Sequence, residues 1–165
     1  MSRTVTAFPE RVITAKILLV DDDRKVTSMV ATFFRRIGRY ELREENDSSS
    51  AAVFAREFRP DLAILDVDMP GKDGGEVATE FKNDPVLQDV TLIFMSGLIS
   101  EKDKGVRNGA VYLPKPFPLL ALHQVVEIVL AGRLSRAQAS KPRRRTRKTS
   151  VAHSSSEEPV SAEAK

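Results

Sequence analysis

The sequence predicts an α/β protein, a doubly wound five-stranded parallel sheet with helices on both faces. Three observations carry that prediction. Short apolar runs alternate five times with stretches of helical periodicity. The connections are short, and right-handed crossovers then set the strands parallel, with helices on both faces. Four of the apolar runs lead into polar residues, as in open sheets whose sites lie at the carboxyl edge of the strands.

Residues 1–15 are polar with scattered Phe8, Val12 and Ile13, and read as a loosely attached leader. Ile17–Val20 is a central strand that ends in Asp21-Asp22-Asp23. Val26, Met29, Val30, Phe33, Phe34 and Ile37 recur at three- and four-residue steps, one face of a helix stopped by Gly38. Tyr40–Glu45 alternates and is charged, which suggests a strand nearer the sheet edge. Asp47–Ser50 offers N-caps for a helix with Ala51, Phe54, Ala55 and Phe58 inward. Leu62–Asp66 is an apolar strand ending in a carboxylate, followed by Asp68, Pro70 and a turn through Gly71, Gly74 and Gly75. A helix from about Gly75 buries Val77, Ala78 and Phe81 until Asn83-Asp84-Pro85 breaks it. Val90–Met95 is a strand ending in Ser96-Gly97; Glu101–Asn108 suggests a short helix capped by Gly109. Ala110–Leu113 is the fifth strand, followed by Pro114-Lys115-Pro116, and the last helix spans about Pro118–Leu134.

Composition narrows the function. The chain has 165 residues and no cysteine, so disulfides, zinc–thiolate sites and thiol catalysis are excluded. A reducing, cytoplasmic setting fits. No run approaches the roughly 20 apolar residues of a membrane span, and no signal peptide is expected from the polar start. Residues 1–132 hold 17 Lys and Arg against 20 Asp and Glu, a net −3, whereas residues 133–165 hold 9 against 3, a net +6. The basic character belongs to the tail, whose low-complexity composition predicts disorder. The expected layout is a leader at 1–15, a folded domain at 16–132 and a basic tail at 133–165.

Asp66 has three readings on its own: nucleophile, metal ligand, or the polar end of a strand. Its neighbours on the sheet edge are Asp21, Asp22, Ser96 and Lys115. Clustered carboxylates resist ionisation, and a hard cation relieves that; Mg²⁺ takes oxygen ligands at roughly 2.1 Å and tolerates substrate phosphate. Lys115 supplies a compact charge suited to a phosphate oxygen, and Ser96 a hydroxyl. Such a set would hold a phosphoryl group on the Asp66 carboxylate.

DDD at 21–23, LDVDMPGKDG at 65–74, MSG at 95–97 and YLPKPF at 112–117 together resemble the receiver domains of two-component response regulators. The resemblance covers roughly residues 16–132. It implies a flavodoxin-like strand order 2-1-3-4-5 and a switch rather than an enzyme, one that promotes only its own phosphorylation and dephosphorylation. It implies Asp66 as phospho-acceptor, Asp21 and Asp22 as the acid pair with Asp22 the direct Mg²⁺ ligand, and the Asp68 backbone carbonyl completing the metal site. Ser96 matches the hydroxyl that moves toward the phosphate and Lys115 the phosphate-binding lysine, with a cis bond to Pro116. Tyr112 matches the rotating switch aromatic, and Gly97 leaves room for the donor. The implied partners are a histidine kinase or phosphotransfer protein as donor and a downstream protein as reader. One departure stands out: the span from Ser96 to Lys115 is about one helical turn shorter than the family pattern. The loss falls in the fourth helix, part of the family's usual output and dimer face.

Simpler readings stand beside these. Asp23 fits a helix N-cap, Asp73 a turn, Tyr112 a half-buried core aromatic, and His123 a surface position on the last helix. Asp66-Val67-Asp68 also resembles the start of haloacid-dehalogenase-type phosphatases, an enzymatic alternative. Against it, Asp21-Asp22 precede Asp66, Met69 and Pro70 follow Asp68, and no cap domain is evident. Lys141–Lys148, KPRRRTRK, places six basic residues in eight. A solvated tail is the plain reading; an electrostatic grip on nucleic acid is the sharper one. With no interleaved aromatics and no recognition helix, only nonspecific contact is supported.

Overall fold

The computed structural model describes residues 15–99, 105–107 and 109–139. The elements run β1 (Ala15–Val20), α1 (Arg24–Ile37), β2 (Tyr40–Glu45), α2 (Ala51–Phe58), β3 (Leu62–Asp66), α3 (Gly74–Asn83), β4 (Thr91–Ser96), β5 (Gly105–Arg107), β6 (Ala110–Pro114) and α4 (Leu119–Ala139). They form one sheet in the order β2-β1-β3-β4-β6-β5.

The central strands are apolar on both faces because helices cover both. Leu18, Val20, Ala63 and Leu65 face α2 and α3, against Ala55, Phe58, Val77 and Phe81. Ile17, Leu19, Leu62 and Ile64 point the other way, against Val30, Ala31 and Phe34 of α1 and Leu122 and Val126 of α4. The ends of α1 follow their sequence signals, whereas Ser50 at the start of α2 makes no side-chain cap hydrogen bond and Asp73, expected in a turn, caps α3. Asp23 caps α1, its side chain accepting from the Lys25 N–H, and Gly38 ends that helix at φ 80°. Asp73 and Glu76 form a reciprocal capping box at the start of α3.

The sheet has six strands, not the five expected. Four parallel pairings join β1, β2, β3, β4 and β6. The sixth strand, β5, runs antiparallel to β6 at the edge. It lies within the segment 101–108 for which a short helix was expected, and residues 101–104 and 108 fall outside the described residues. Gly105 adopts φ 136°, which no α-helix accommodates. Arg107 pairs with Ala110, and Gly109, just before β6, adopts φ 80°.

Two further corrections concern α4. It runs to Ala139, past the helix end expected at about Leu134. Arg133 donates to the Asp61 carboxylate at 2.6 Å and to its carbonyl at 2.7 Å, which ties this part of the helix to the start of β3. His123 is not on an open surface. Its ring packs edge-on against Phe33, Phe34 and Tyr40 at centroid distances of 5.8–6.2 Å, and Nε2 lies 3.3 Å from the Tyr40 hydroxyl. Glu127, one turn on, is 3.7 Å from the same nitrogen. Burial, followed by the charge of Glu127, raises the Tyr40 pKa above its usual value. The expected leader, apart from Ala15, and the basic run 141–148 lie outside the described residues.

Candidate functional site

Strand register assembles the site. β1 pairs with β3 so that Val20 lies beside Leu65; the next residues, Asp21 and Asp66, therefore adjoin. β4 sets Met95 beside Asp66 on one flank and Ser96 beside Pro114 on the other. Lys115 follows immediately. Strands ending together thus bring Asp21, Asp22, Asp66, Ser96 and Lys115 to one edge.

Lys115 Nζ lies 2.8 Å from Asp21 Oδ2 and 3.0 Å from Asp66 Oδ1. Asp21, Asp22 and Asp66 each offer a carboxylate oxygen within 4.8 Å of the others. Asp21 and Asp66 are buried, at 0% and 4% exposure, while Asp22 faces solvent. Burial raises the Asp66 pKa and the Asp21 charge adds to the rise, outweighing Lys115 and the Asp68 N–H. Burial pulls Lys115 down, but its contacts with Asp21 and Asp66 win and hold it above its ordinary value. Asp66 Oδ1 has Lys115 as an ion-pair partner but no hydrogen-bond donor aligned on it. A buried carboxylate oxygen inside a three-carboxylate cluster, offset among the described residues by one ammonium alone, fits a hard, oxygen-seeking cation.

The other predicted residues sit close by. Ser96, 1% exposed, donates its hydroxyl to Asp68 Oδ2 at 3.1 Å and accepts from the Leu98 N–H at 3.0 Å. The Asp68 side chain therefore engages Ser96. Tyr112 is half-buried and stacks on Phe94, centroids 4.9 Å apart and planes 22° apart. The Lys115–Pro116 bond is cis. A Cβ on Gly97 would meet nothing within 4 Å, so the approach there is open.

Three supporting residues escaped the sequence reading. A Cβ at Gly74 would lie 2.3 Å from the Asp66 carbonyl oxygen, so the first residue of α3 must be glycine for the acceptor strand to pass. Asn46 donates to the Asp21 carbonyl at 2.7 Å, and Ser48 donates to the Pro70 carbonyl at 3.0 Å. The glycine count after Asp66 hinted at the first; nothing local signalled the other two.

The sequence pattern of the response regulator receiver domain matches residues 17–127. The chain belongs to this family. Among relatives of this receiver domain, Protein PilH of Pseudomonas aeruginosa is 31% identical over 121 residues, covering 72% of this chain and 99% of PilH. The DNA-binding transcriptional regulator NtrC of Azospirillum brasilense is 34% identical over 70% of this chain. The phosphate regulon regulator PhoB of P. aeruginosa is 35% identical over 61% of it. The chain matches only 24% and 45% of the length of those two regulators. Among solved structures, the receiver domain of the hybrid histidine kinase CckA is similar at 32% identity and TM-score 0.59, covering 70% of this chain and 98% of that one. The receiver domain of Francisella response regulator 1452 is similar at 26% identity and TM-score 0.63, covering 72% and 98%. The receiver domain here is thus part of two-component signalling, and the family points to a signalling domain rather than a catalytic enzyme. Among the described residues no helix is long and apolar enough to cross a membrane.

Proposed function

We propose that this receiver domain accepts a phosphoryl group on Asp66 from a histidine kinase or phosphotransfer protein in the cytoplasm, with Mg²⁺, and signals by protein–protein contact. The observation that carries it is the Asp66 carboxylate, buried at the sheet edge between Lys115 and the Asp21–Asp22 pair.

In the proposed reaction an Asp66 oxygen attacks phosphorus. The P–O bond of an acyl phosphate forms as the P–N bond of the donor's phosphohistidine breaks, and the imidazole leaves with its electron pair and takes up a proton. Asp21, Asp22, Asp66 and the Asp68 carbonyl would hold Mg²⁺, which supplies positive charge to the phosphoryl oxygens. Lys115 is placed to offset charge on the same oxygens. The Ser96 hydroxyl, now on Asp68, would be redirected to the new group. Tyr112, stacked on Phe94 at the adjoining strand, would pass that change to the surface read by a partner.

The test is incubation with acetyl phosphate and Mg²⁺ followed by intact mass. A labile gain of one phosphate in the wild type and none in Asp66→Asn supports the reading. Turnover of many phosphomonoesters without an adduct, or no adduct from acetyl phosphate or any histidine kinase, defeats it.

A second result follows from the raised Asp66 pKa. A carboxyl whose pKa is raised on folding stabilises the fold below its unfolded value, about 3.9, and that stability is lost as pH rises through the folded value. Metal-free Asp66→Asn should therefore melt a few degrees above wild type at pH 7, and the difference should vanish in acid. Saturating Mg²⁺ should reverse the order, because binding stabilises wild type by about 2.7 kcal/mol at a hundred times its Kd and the variant lacks a ligand. Thermal melts with and without Mg²⁺ across pH check both signs.

A further inference from the structure

We infer that the loop between β2 and α2 is a positioning element for the phosphorylation site, with Asn46 aligning the metal-binding loop and Ser48 the acceptor loop. The inference rests on the proposed acceptor function and adds residues that function did not need.

The loop holds both halves of the site from behind. On one side the Asp21 N–H donates to the Glu45 carbonyl at 3.2 Å. The Asn46 amide donates to the Asp21 carbonyl at 2.7 Å and to Thr27 Oγ1, on α1, at 3.1 Å. The Asp21 carbonyl belongs to the peptide that joins Asp21 to Asp22. Fixing its direction fixes that peptide plane, and with it where the exposed Asp22 side chain starts. The peptide on the other side of Asp22 is held by the Asp23 N–H, which donates to Asp21 Oδ1 at 2.9 Å, so the Asn46 bond is one of the two that set the aim of Asp22.

On the other side Ser48 is buried, at 4% exposure, between exposed Asp47 and Ser49. A buried hydroxyl is costly unless its hydrogen bonds are made. Ser48 makes two, both to the acceptor loop: it donates to the Pro70 carbonyl at 3.0 Å and accepts from the Lys72 N–H at 3.2 Å. These contacts bracket Gly71, which turns the chain at φ 84° just after Asp68. The clamp therefore sets the path of the loop that carries Asp66 and Asp68.

A brace must itself be stiff, and this one is. The Asp47 N–H donates to Glu45 Oε1 at 2.9 Å. Asp47 accepts from the Ser49 N–H and the Ser50 hydroxyl, each at 2.9 Å. Residues 45–50 thus hold one another while Asn46 and Ser48 reach inward to different loops. Residues that orient metal ligands without touching the metal typically matter about 10- to 100-fold in affinity or rate.

The test uses the full chain as wild type, Asn46→Ala, Ser48→Ala and Ser48→Thr. Three quantities are measured: melting temperature without metal, half-saturating Mg²⁺ by calorimetry, and the rate of acetyl phosphate labelling at saturating Mg²⁺. Asn46→Ala is expected to raise half-saturating Mg²⁺ about tenfold with a nearly unchanged saturated rate. Ser48→Ala is expected to lower the saturated rate about tenfold, and Ser48→Thr, which keeps the hydroxyl, to restore it. Lower melting temperatures with wild-type Mg²⁺ dependence and rate in both alanine variants would overturn the inference and leave the loop merely structural. Wild type that neither binds Mg²⁺ nor gains phosphate would defeat the acceptor function itself, a failure visible in the control before any variant is compared.

Discussion

Lys115→Met is expected to cost the metal-free domain about 2–3 kcal/mol at pH 7, read by denaturant titration, and to slow phosphoryl transfer about a hundredfold. The ammonium lies between Asp21 and Asp66, at 2.8 and 3.0 Å. Removing one partner of a buried ion pair costs roughly 3–5 kcal/mol because it strands charge in a poor solvent; the lysine stem is one-quarter exposed, which reduces the figure. Methionine keeps most of the stem, so the loss reports charge and not volume. The pH dependence has a definite sign. Lys115 has a raised folded pKa, through its contacts with both carboxylates against the opposing pull of burial. Its stabilisation is therefore present below its unfolded value, near 10.4, and lost as pH rises through the folded one. In the variant the penalty fades on the acid side, where protonation relieves the stranded Asp66 carboxylate, whose pKa burial raises. For the reaction, a positioned charge at a developing anion is worth about 10²–10³ in rate. A variant as stable and as fast as wild type would mean that Lys115 is a solvated surface charge.

Gly74→Ala is expected to destabilise the domain by about 2 kcal/mol or more and to weaken Mg²⁺ binding, although it adds a single methyl group and changes no charge. That methyl would stand 2.3 Å from the Asp66 carbonyl oxygen, 3.0 Å from its carbon and 3.1 Å from the Val67 Cα. All three are backbone atoms, and no rotamer change can move them. Either α3 lifts or the end of β3 shifts, and the second moves the acceptor. Gly75→Ala is the control. Its Cβ meets Asp73 Oδ1, at 3.1 Å, so the strain falls on the α3 capping side chain and leaves the acceptor strand alone. Denaturation and Mg²⁺ calorimetry on the pair should show a large loss at 74 and a much smaller one at 75. Equal losses would contradict the close approach as the cause, since helix propensity by itself favours alanine over glycine at both positions.

What could be read in advance followed how local each signal was. The strands that form the sheet centre are unbroken apolar runs, and their polar ends named Asp21, Asp66, Ser96 and Lys115 without any contact map. The caps Asp23 and Gly38 are equally local. The antiparallel strand β5 was missed because the polar run 101–108 reads as a helix unless Gly105, at φ 136°, is weighed as a breaker. His123 was misplaced for a different reason. Its partners Phe33, Phe34 and Tyr40 come from α1 and β2, and only the packing of α4 on α1 brings them together. Asn46 and Ser48 carry no pattern of their own, because their role lies in which backbone groups two other loops present. Gly74 looks like any turn glycine until the path of the Asp66 carbonyl is known.

The central claim is that Asp66, among several carboxylates on one sheet edge, is the acceptor. Trapping decides it most directly. An aspartyl phosphate is an activated acyl group that borohydride reduces to the alcohol, so a phosphorylated aspartate is converted to homoserine while free carboxylates are untouched. After labelling with acetyl phosphate and Mg²⁺, reduction and peptide mapping should find homoserine at position 66 alone. Homoserine at 21, 22 or 68 instead, or at no position in a sample whose intact mass had risen by one phosphate, would contradict the account.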